Sequence, residues 1–189
     1  MTPRADYANE SELPDLVRRA VKLAAEMGFE NSCHPGYGRL LRVLAARGGR
    51  VLETGSGCGV GTAWMLSAMP PDGTLTTVEL DSTRAAAVRT LFAGDSRVRV
   101  LQGDAAKIQL DSPFDLFFMD GGFAAETGLD PVVDLLSIGG LVVKDDLKFG
   151  TDPSSDPRKA PWFAHPQLAA VEVMAALPDW SAIIAARTR

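Results

Sequence analysis

The sequence predicts an α/β domain: a mostly parallel sheet of seven strands with helices on both faces, extra helices at the N-terminus and a C-terminal antiparallel hairpin. Three observations carry that prediction. Short apolar, β-branched runs recur at Val51–Thr54, Thr74–Leu80, Val98–Leu101, Phe114–Met119 and Leu141–Val143. Helical stretches at Thr62–Ala68, Ser82–Phe92 and Asp130–Ile138 separate several of them, and such alternation is the pattern of a parallel sheet covered on both sides. Two last apolar runs, QLAAVEVMAA and SAIIAARTR, flank a break at Leu177-Pro178-Asp179, which reads as a hairpin turn.

Each element has a local reason. From Leu13, the apolar positions Leu16, Val17, Ala20, Val21, Ala24 and Met27 recur at three and four residues, as one face of a helix does. Ser11 is placed to cap that helix and Gly28 to end it. A second helix carries Leu40, Leu41, Val43 and Leu44 and ends near Gly48-Gly49. Asp130-Pro131 opens the last helix of the alternating region, with Asp as cap and Pro at the first helical position. The stretch LKFGTDPSSDPRKAPWFAH reads as a long polar loop. For 167–176 a terminal helix is the alternative to a strand, because the Ala-rich composition permits either. No repeat or linker divides the chain, so 1–189 reads as one domain, with helices over 1–48 and the core over 49–189.

Bulk properties exclude several classes. The formal net charge is −5 and no run of consecutive Lys or Arg is longer than two residues, which disfavours a nucleic-acid backbone as partner. The polar start MTPRADYANE is unlike a signal peptide. No apolar run approaches the roughly 18–20 residues that span a bilayer, so no membrane partner is expected and the chain reads as cytoplasmic. Two cysteines, Cys33 and Cys58, and two histidines, His34 and His165, suggest neither a disulfide framework nor a His/Cys zinc site.

The stretch VLETGSGCGVGT, residues 51–62, carries glycines at 55, 57, 59 and 61. A dinucleotide fingerprint G-x-G-x-x-G fails from Gly55, where the sixth residue is Val60, and from Gly57, where it is Thr62. A phosphate loop fails for want of a lysine. Glu53, two residues before the first glycine, would repel a pyrophosphate. An acid there suits a ligand that carries a cation and hydroxyls.

Acids also stand at or just after the end of every predicted parallel strand: Glu53, Glu79, Asp104, Asp120 and the pair Asp145-Asp146. In open α/β sheets ligands bind outside the carboxyl ends of the strands. These carboxylates should therefore converge on one crevice, where their repulsion calls for a cation or a set of donors.

The ordered motifs VLETGSGCGVGT, TTVELD, RVLQGDA, FDLFFMDG and GGLVVKDDL resemble the class I S-adenosylmethionine-dependent methyltransferases, and among them the small O-methyltransferases of the catechol and caffeoyl-CoA type. The resemblance runs from about Val51 to Gly150. It implies a Rossmann-like fold, S-adenosylmethionine as cofactor, a small-molecule methyl acceptor and a homodimer. By position, Glu79 would bind the ribose hydroxyls, its neighbour Leu80 would also lie on the cofactor side, and Gly103, Asp104 and Ala105 would flank the adenine. Gly55, Ser56 and Gly57 would approach the methionine part, with Glu53 or Asp120 near its amine. The helices of 1–48 would form part of the substrate side.

In the metal-dependent members of that family a divalent cation is held by one acid after the fourth strand and an Asp-Asn pair after the fifth, the places of Asp120, Asp145 and Asp146, and three hard oxygen ligands suit Mg²⁺ or a similar cation. This chain departs from the pattern twice. Phe123 stands where those enzymes carry a lysine thought to act as general base, and Asp146 replaces an Asn. The proton acceptor must then come from elsewhere: His34, Tyr37, Lys144, Lys148 and His165 are the candidates, with His165 in a plausible lid beside Trp162 and Phe163. His34, His165 and the metal-side acid Asp120 are the candidate catalytic residues. Cys58 reads as a packing residue. Asp111-Ser112-Pro113-Phe114 superficially resembles the motif of nucleic-acid amino-methyltransferases, but it precedes the fourth strand instead of following it. Two other readings stay open: a cofactor-binding sensor or scaffold without catalysis, and a nicotinamide-dependent reductase, against which the glycine spacing counts.

Overall fold

A computed structural model describes residues 6–7, 13–121, 123 and 128–189. Five strands are β1 (Arg50–Thr54), β2 (Thr74–Glu79), β3 (Val98–Gln102), β4 (Phe114–Met119) and β5 (Leu136–Lys148). They pair in parallel. β6 (Leu168–Ala176) and β7 (Trp180–Arg187) form the antiparallel hairpin, and β7 joins it to β5. The sheet order is β3-β2-β1-β4-β5-β7-β6. Among the described residues the helices are α1 (Asp15–Glu26), α2 (Pro35–Ala45), α3 (Val60–Leu66), α4 (Ser82–Leu91), α5 (Asp130–Asp134) and α6 (Ala160–Ala164). None is long and apolar enough to cross a membrane.

Strand alternation builds two cores. Along β4, Leu116 and Phe118 face the core under α1 to α4, while Phe117 and Met119 face the core that contains Val132 of α5 and Trp162 of α6; Phe114, before the register shift between Phe114 and Leu116, also lies in the second core. A period of two sends neighbouring side chains to opposite faces, so the near-continuous apolar run FDLFFM needs cover on both.

Several boundaries differ from the sequence expectation. α1 starts at Asp15, with Pro14 at its N-cap and no side-chain cap; the expected cap, Ser11, lies outside the described residues. Its end is as expected: Gly28 has φ +62°, its N–H donates to Ala25 O, and the Phe29 N–H donates to Ala24 O, the paired bonds of a Schellman stop. α3 begins at Val60 and ends at Leu66, two residues earlier at each end than expected.

The helix expected over Asp130–Ile138 stops at Asp134, and β5 begins at Leu136, not Leu141. Leu136 is fully buried and pairs with Phe114, and the glycines at 139 and 140, the former at φ +80°, do not sustain a helix. Asp130 is the first helical residue and not the cap, which is Leu129. There its charge still favours the helix N-terminus.

Segment 168–176 is a strand, paired from Leu168↔Arg187 to Ala176↔Trp180, so the helical alternative is overturned. The polar loop also contains α6. It is pinned by Lys159, which is fully buried and donates to the carbonyls of Lys148 and Thr151 and to the Glu172 carboxylate.

Candidate functional site

From β1 the chain moves outward through β2 and β3, then returns to place β4 and β5 on the other side of β1. The crevice at such a reversal opens between the C-terminal ends of β1 and β4. Gly55 follows the first strand and Asp120 the second, and Thr54 Oγ1 donates to the Asp120 carbonyl at 3.2 Å. Gly55 has φ +85°, and a Cβ there would lie 2.6 Å from that same carbonyl oxygen. Only glycine fits both the backbone angle and the contact.

Glu79 locks the glycine turn to the end of β2. Its Oε2 accepts from the Gly57 N–H at 2.8 Å. Its Oε1 accepts from the Asp81 N–H at 2.9 Å and from Arg84 Nη2 at 2.7 Å. The Arg84 guanidinium lies 5.1 Å from the centre of the Phe29 ring, a cation–π distance. Around this knot is a cavity of about 490 Å³. It brings together eight residues singled out from the sequence: Gly55, Gly57, Glu79, Leu80, Gly103, Asp104, Ala105 and Asp120. Asp104 also caps its own turn, accepting from the Ala106 N–H at 3.0 Å and pairing with Lys107 at 2.7 Å; these donors hold its carboxyl below the usual range.

Two residues expected at this cavity lie behind the turn. The Ser56 hydroxyl is hydrogen-bonded to Thr77 Oγ1. The Glu53 carboxylate, 1% exposed, accepts from Thr77 Oγ1 at 2.6 Å and from Thr62 Oγ1. Burial pushes the Glu53 carboxyl up to about 7, against the pull of the two threonines. Both border a small crevice with Gly55, Gly57 and Asp120. Cys58 is buried, its Sγ 3.7 Å from Met27 Sδ.

The second group is the acid cluster. One oxygen from each of Asp120, Asp145 and Asp146 lies within 4.8 Å of the others. A regular strand would send Asp145 and Asp146 to opposite faces. Here the pairing runs Lys144↔Ile183 and then Leu147↔Ser181, so two residues of β5 oppose one of β7. This is a bulge, which re-aims side chains. Asp146 takes φ +59°, unusual for a residue other than glycine. Burial, reinforced by the Asp145 charge, raises the Asp120 carboxyl well above its ordinary value. Burial pushes Asp145 up to about 6, against the opposing charge of Lys144, whose ammonium is 3.2 Å from Asp145 Oδ1.

A cavity of about 290 Å³ at this cluster is also lined by His34, Tyr37 and Lys144. It shares Asn31, Asp120 and Gly121 with the larger cavity. A third, more apolar cavity of about 570 Å³ adjoins it through Lys144 and Asp146 and reaches Trp162 of α6.

The two histidines are placed differently. His34 caps α2, its Nδ1 accepting from the Gly36 N–H at 3.0 Å, and burial, then Arg39, lower its pKa. Its neutral ring therefore keeps the proton on Nε2 and offers a donor, not a base. His165 lines none of these cavities: its Nε2 is 3.0 Å from Asp130 Oδ1 and its Nδ1 accepts from the Gln167 N–H. Lys148 is likewise engaged elsewhere, at Asp179 and over the Trp180 ring. Phe123 packs edge-on against Phe117, ring centres 5.7 Å apart. The sequence reading missed Phe29, Asn31 and Arg84 at the larger cavity. The first two sit in an irregular loop with no period to read, and Arg84 looks like any exposed helical arginine.

A seven-stranded sheet in this order, with a glycine turn after β1 and acids at the ends of β2, β4 and β5, defines the class I methyltransferase fold. A family described as a methyltransferase domain matches residues 52–147. A curated relative from Mycobacterium ulcerans that carries an O-methyltransferase name is 34% identical over 154 residues, covering 75% of this chain and 67% of the relative. The chain spans about half (53%) of the length of similarly named relatives from Mycobacterium tuberculosis. Among solved structures, the O-methyltransferase TomG from Streptomyces achromogenes, in complex with SAM, aligns with TM-score 0.75 at 21% identity, over 97% of this chain and 94% of TomG. The O-methyltransferase from Bacillus cereus in complex with SAH gives 0.73 at 20% identity, over 96% of each chain. The chain belongs to this methyltransferase family.

Proposed function

We propose that the protein binds S-adenosylmethionine in the larger cavity and transfers its methyl group to a hydroxyl of a small molecule held at the acid cluster. The observation that carries this reading is that Asp120 and Gly121 border both cavities, so donor and acceptor can meet at one strand end. Glu79 would take the ribose hydroxyls, Gly103 to Ala105 would flank the adenine, and Gly55 and Gly57 would admit the methionine part. Glu53 would lie beneath its amine. The O-methyltransferase names of the relatives support a hydroxyl as the acceptor.

Transfer is an in-line displacement: the acceptor oxygen bonds to the methyl carbon as the carbon–sulfur bond breaks, and the sulfonium becomes a thioether. Holding the two reactants in line is most of the task. With no cation bound, the hydroxyl proton would pass to the acid cluster, where burial raises the proton affinity of Asp120. Neither histidine offers a free acceptor nitrogen.

The three carboxylate oxygens, mutually repelling and within 4.8 Å, fit a hard divalent cation such as Mg²⁺. Bound there, it would lower the pKa of an acceptor hydroxyl. The test is transfer from methyl-labelled S-adenosylmethionine to a panel of small hydroxyl compounds, with and without chelator. Label appearing on oxygen supports the reading, and its loss with chelator supports the cation. Cofactor binding with no transfer to any acceptor would favour the non-catalytic alternative.

A further inference from the structure

Asp146 is held in a conformation that a non-glycine residue keeps only when its surroundings fix it. At φ +59° it sits in the bulge that turns two consecutive carboxylates into one cavity. Its backbone N–H donates to the Tyr37 hydroxyl at 3.3 Å. That hydroxyl in turn donates to the Ser181 carbonyl at 3.1 Å, on the strand opposite the bulge. Tyr37 is 1% exposed, so neither bond can be exchanged for one to bulk water without loss.

The support continues outward. Ser181 Oγ donates to Glu172 Oε1, the same oxygen that accepts from the buried Lys159 ammonium. Lys159 also ties down the carbonyls of Lys148 and Thr151. Hydrogen bonds therefore link the 148–166 segment to β6 and β7, and, through the carbonyl of Ser181 and the Tyr37 hydroxyl of α2, to the Asp146 amide.

We propose that Tyr37 is a positioning residue of the acid cluster: it fixes the left-handed backbone of Asp146, and thereby the direction of its carboxylate, while the Lys159–Glu172–Ser181 chain holds Tyr37's own acceptor in place. This rests on the acid cluster's part in the proposed reaction. Tyr37 acts through Asp146, because its hydroxyl is engaged by the Asp146 N–H and the Ser181 carbonyl. Removing the hydroxyl takes away the partner of the Asp146 amide and one partner of the Ser181 carbonyl, yet keeps the buried ring.

The experiment is Tyr37→Phe, read by amide hydrogen exchange in the whole protein and by steady-state methyl transfer. Exchange at the Asp146 amide should rise at least tenfold, while the amides of β2 are unchanged. In turnover, kcat should fall about tenfold with the KM for S-adenosylmethionine unchanged. Unchanged exchange at Asp146 overturns the proposal. Faster exchange with unchanged kcat also overturns it, because Tyr37 would then hold a backbone with no consequence for the reaction. An absence of turnover in the wild type is the separate failure of the functional reading. Should Tyr37→Phe not fold, 3-fluorotyrosine at position 37 keeps the fold and alters the hydroxyl's hydrogen bonding. The Asp146 amide resonance must then move, and an unmoved resonance is the contrary result.

Discussion

Glu53 makes stability depend on pH in a way that one substitution should remove. Its carboxyl is buried beneath the glycine turn and its pKa stands at about 7, against an ordinary value of 4.5. The folded state therefore binds a proton that the unfolded chain has released between these values. A raised folded pKa gives stability that is fully present below about 4.5 and is lost as pH rises through about 7. At about 1.4 kcal/mol for each tenfold in proton affinity, the loss across that window is about 3 kcal/mol. Glu53→Gln keeps the shape and hydrogen-bonding capacity beside Thr62 and Thr77 but cannot ionise. Urea unfolding of the cofactor-free protein at intervals from pH 5 to pH 8 should show the wild type losing that amount relative to the variant. Asp145 titrates in both proteins and cancels in the difference, whereas Asp120, which the Glu53 charge helps to raise, cancels only in part. Saturating S-adenosylmethionine should shrink the difference, since an ammonium near Glu53 favours its charged form. Parallel curves for the two proteins would refute the reasoning.

Three further outcomes are expected. Glu79→Ala should weaken S-adenosylmethionine binding by more than about tenfold in calorimetry, losing charge-assisted bonds to the ribose and the anchor for the Gly57 N–H; unchanged affinity would remove Glu79 from the site. Gly55→Ala should abolish cofactor binding and destabilise the fold by about 1–3 kcal/mol or more in urea unfolding, from backbone strain and the contact with the Asp120 carbonyl. Lys159→Met should cost about 3–5 kcal/mol by the same measurement, because it leaves the Glu172 carboxylate without its buried partner, whereas a loss below 1 kcal/mol would mean that Lys159 does not pin α6.

Much of this architecture was legible in the sequence because the strands of a parallel sheet are apolar on both faces and alternate with helices. VLET, TTVE and FDLFFM needed no tertiary information. The crevice was legible for a related reason: strand ends fix where the next residues stand, so Gly55, Glu79, Gly103 and Asp120 had to share it. Boundaries and side-chain placements that the sequence did not show arise where tertiary pairing overrides local preference. Leu136 to Ile138 continued a helical pattern but is drawn into β5 by pairing with Phe114. Glu53 and Ser56 are in the glycine motif, yet their side chains turn beneath it to Thr62 and Thr77. The bulge that lets Asp145 and Asp146 face one cavity depends on registration with β7, some 35 residues later, which no local pattern encodes. His165 looked like a lid residue from its aromatic neighbours, but its ring is spent on Asp130 and the Gln167 N–H.

The most direct test of the central claim is calorimetric titration of the purified protein, freed of any co-purified cofactor, with S-adenosylmethionine and, separately, with NADH. The geometry around Gly55, Glu79 and Asp104 predicts micromolar binding of the first and none of the second. Binding of NADH, or no binding of S-adenosylmethionine with or without Mg²⁺, would contradict it.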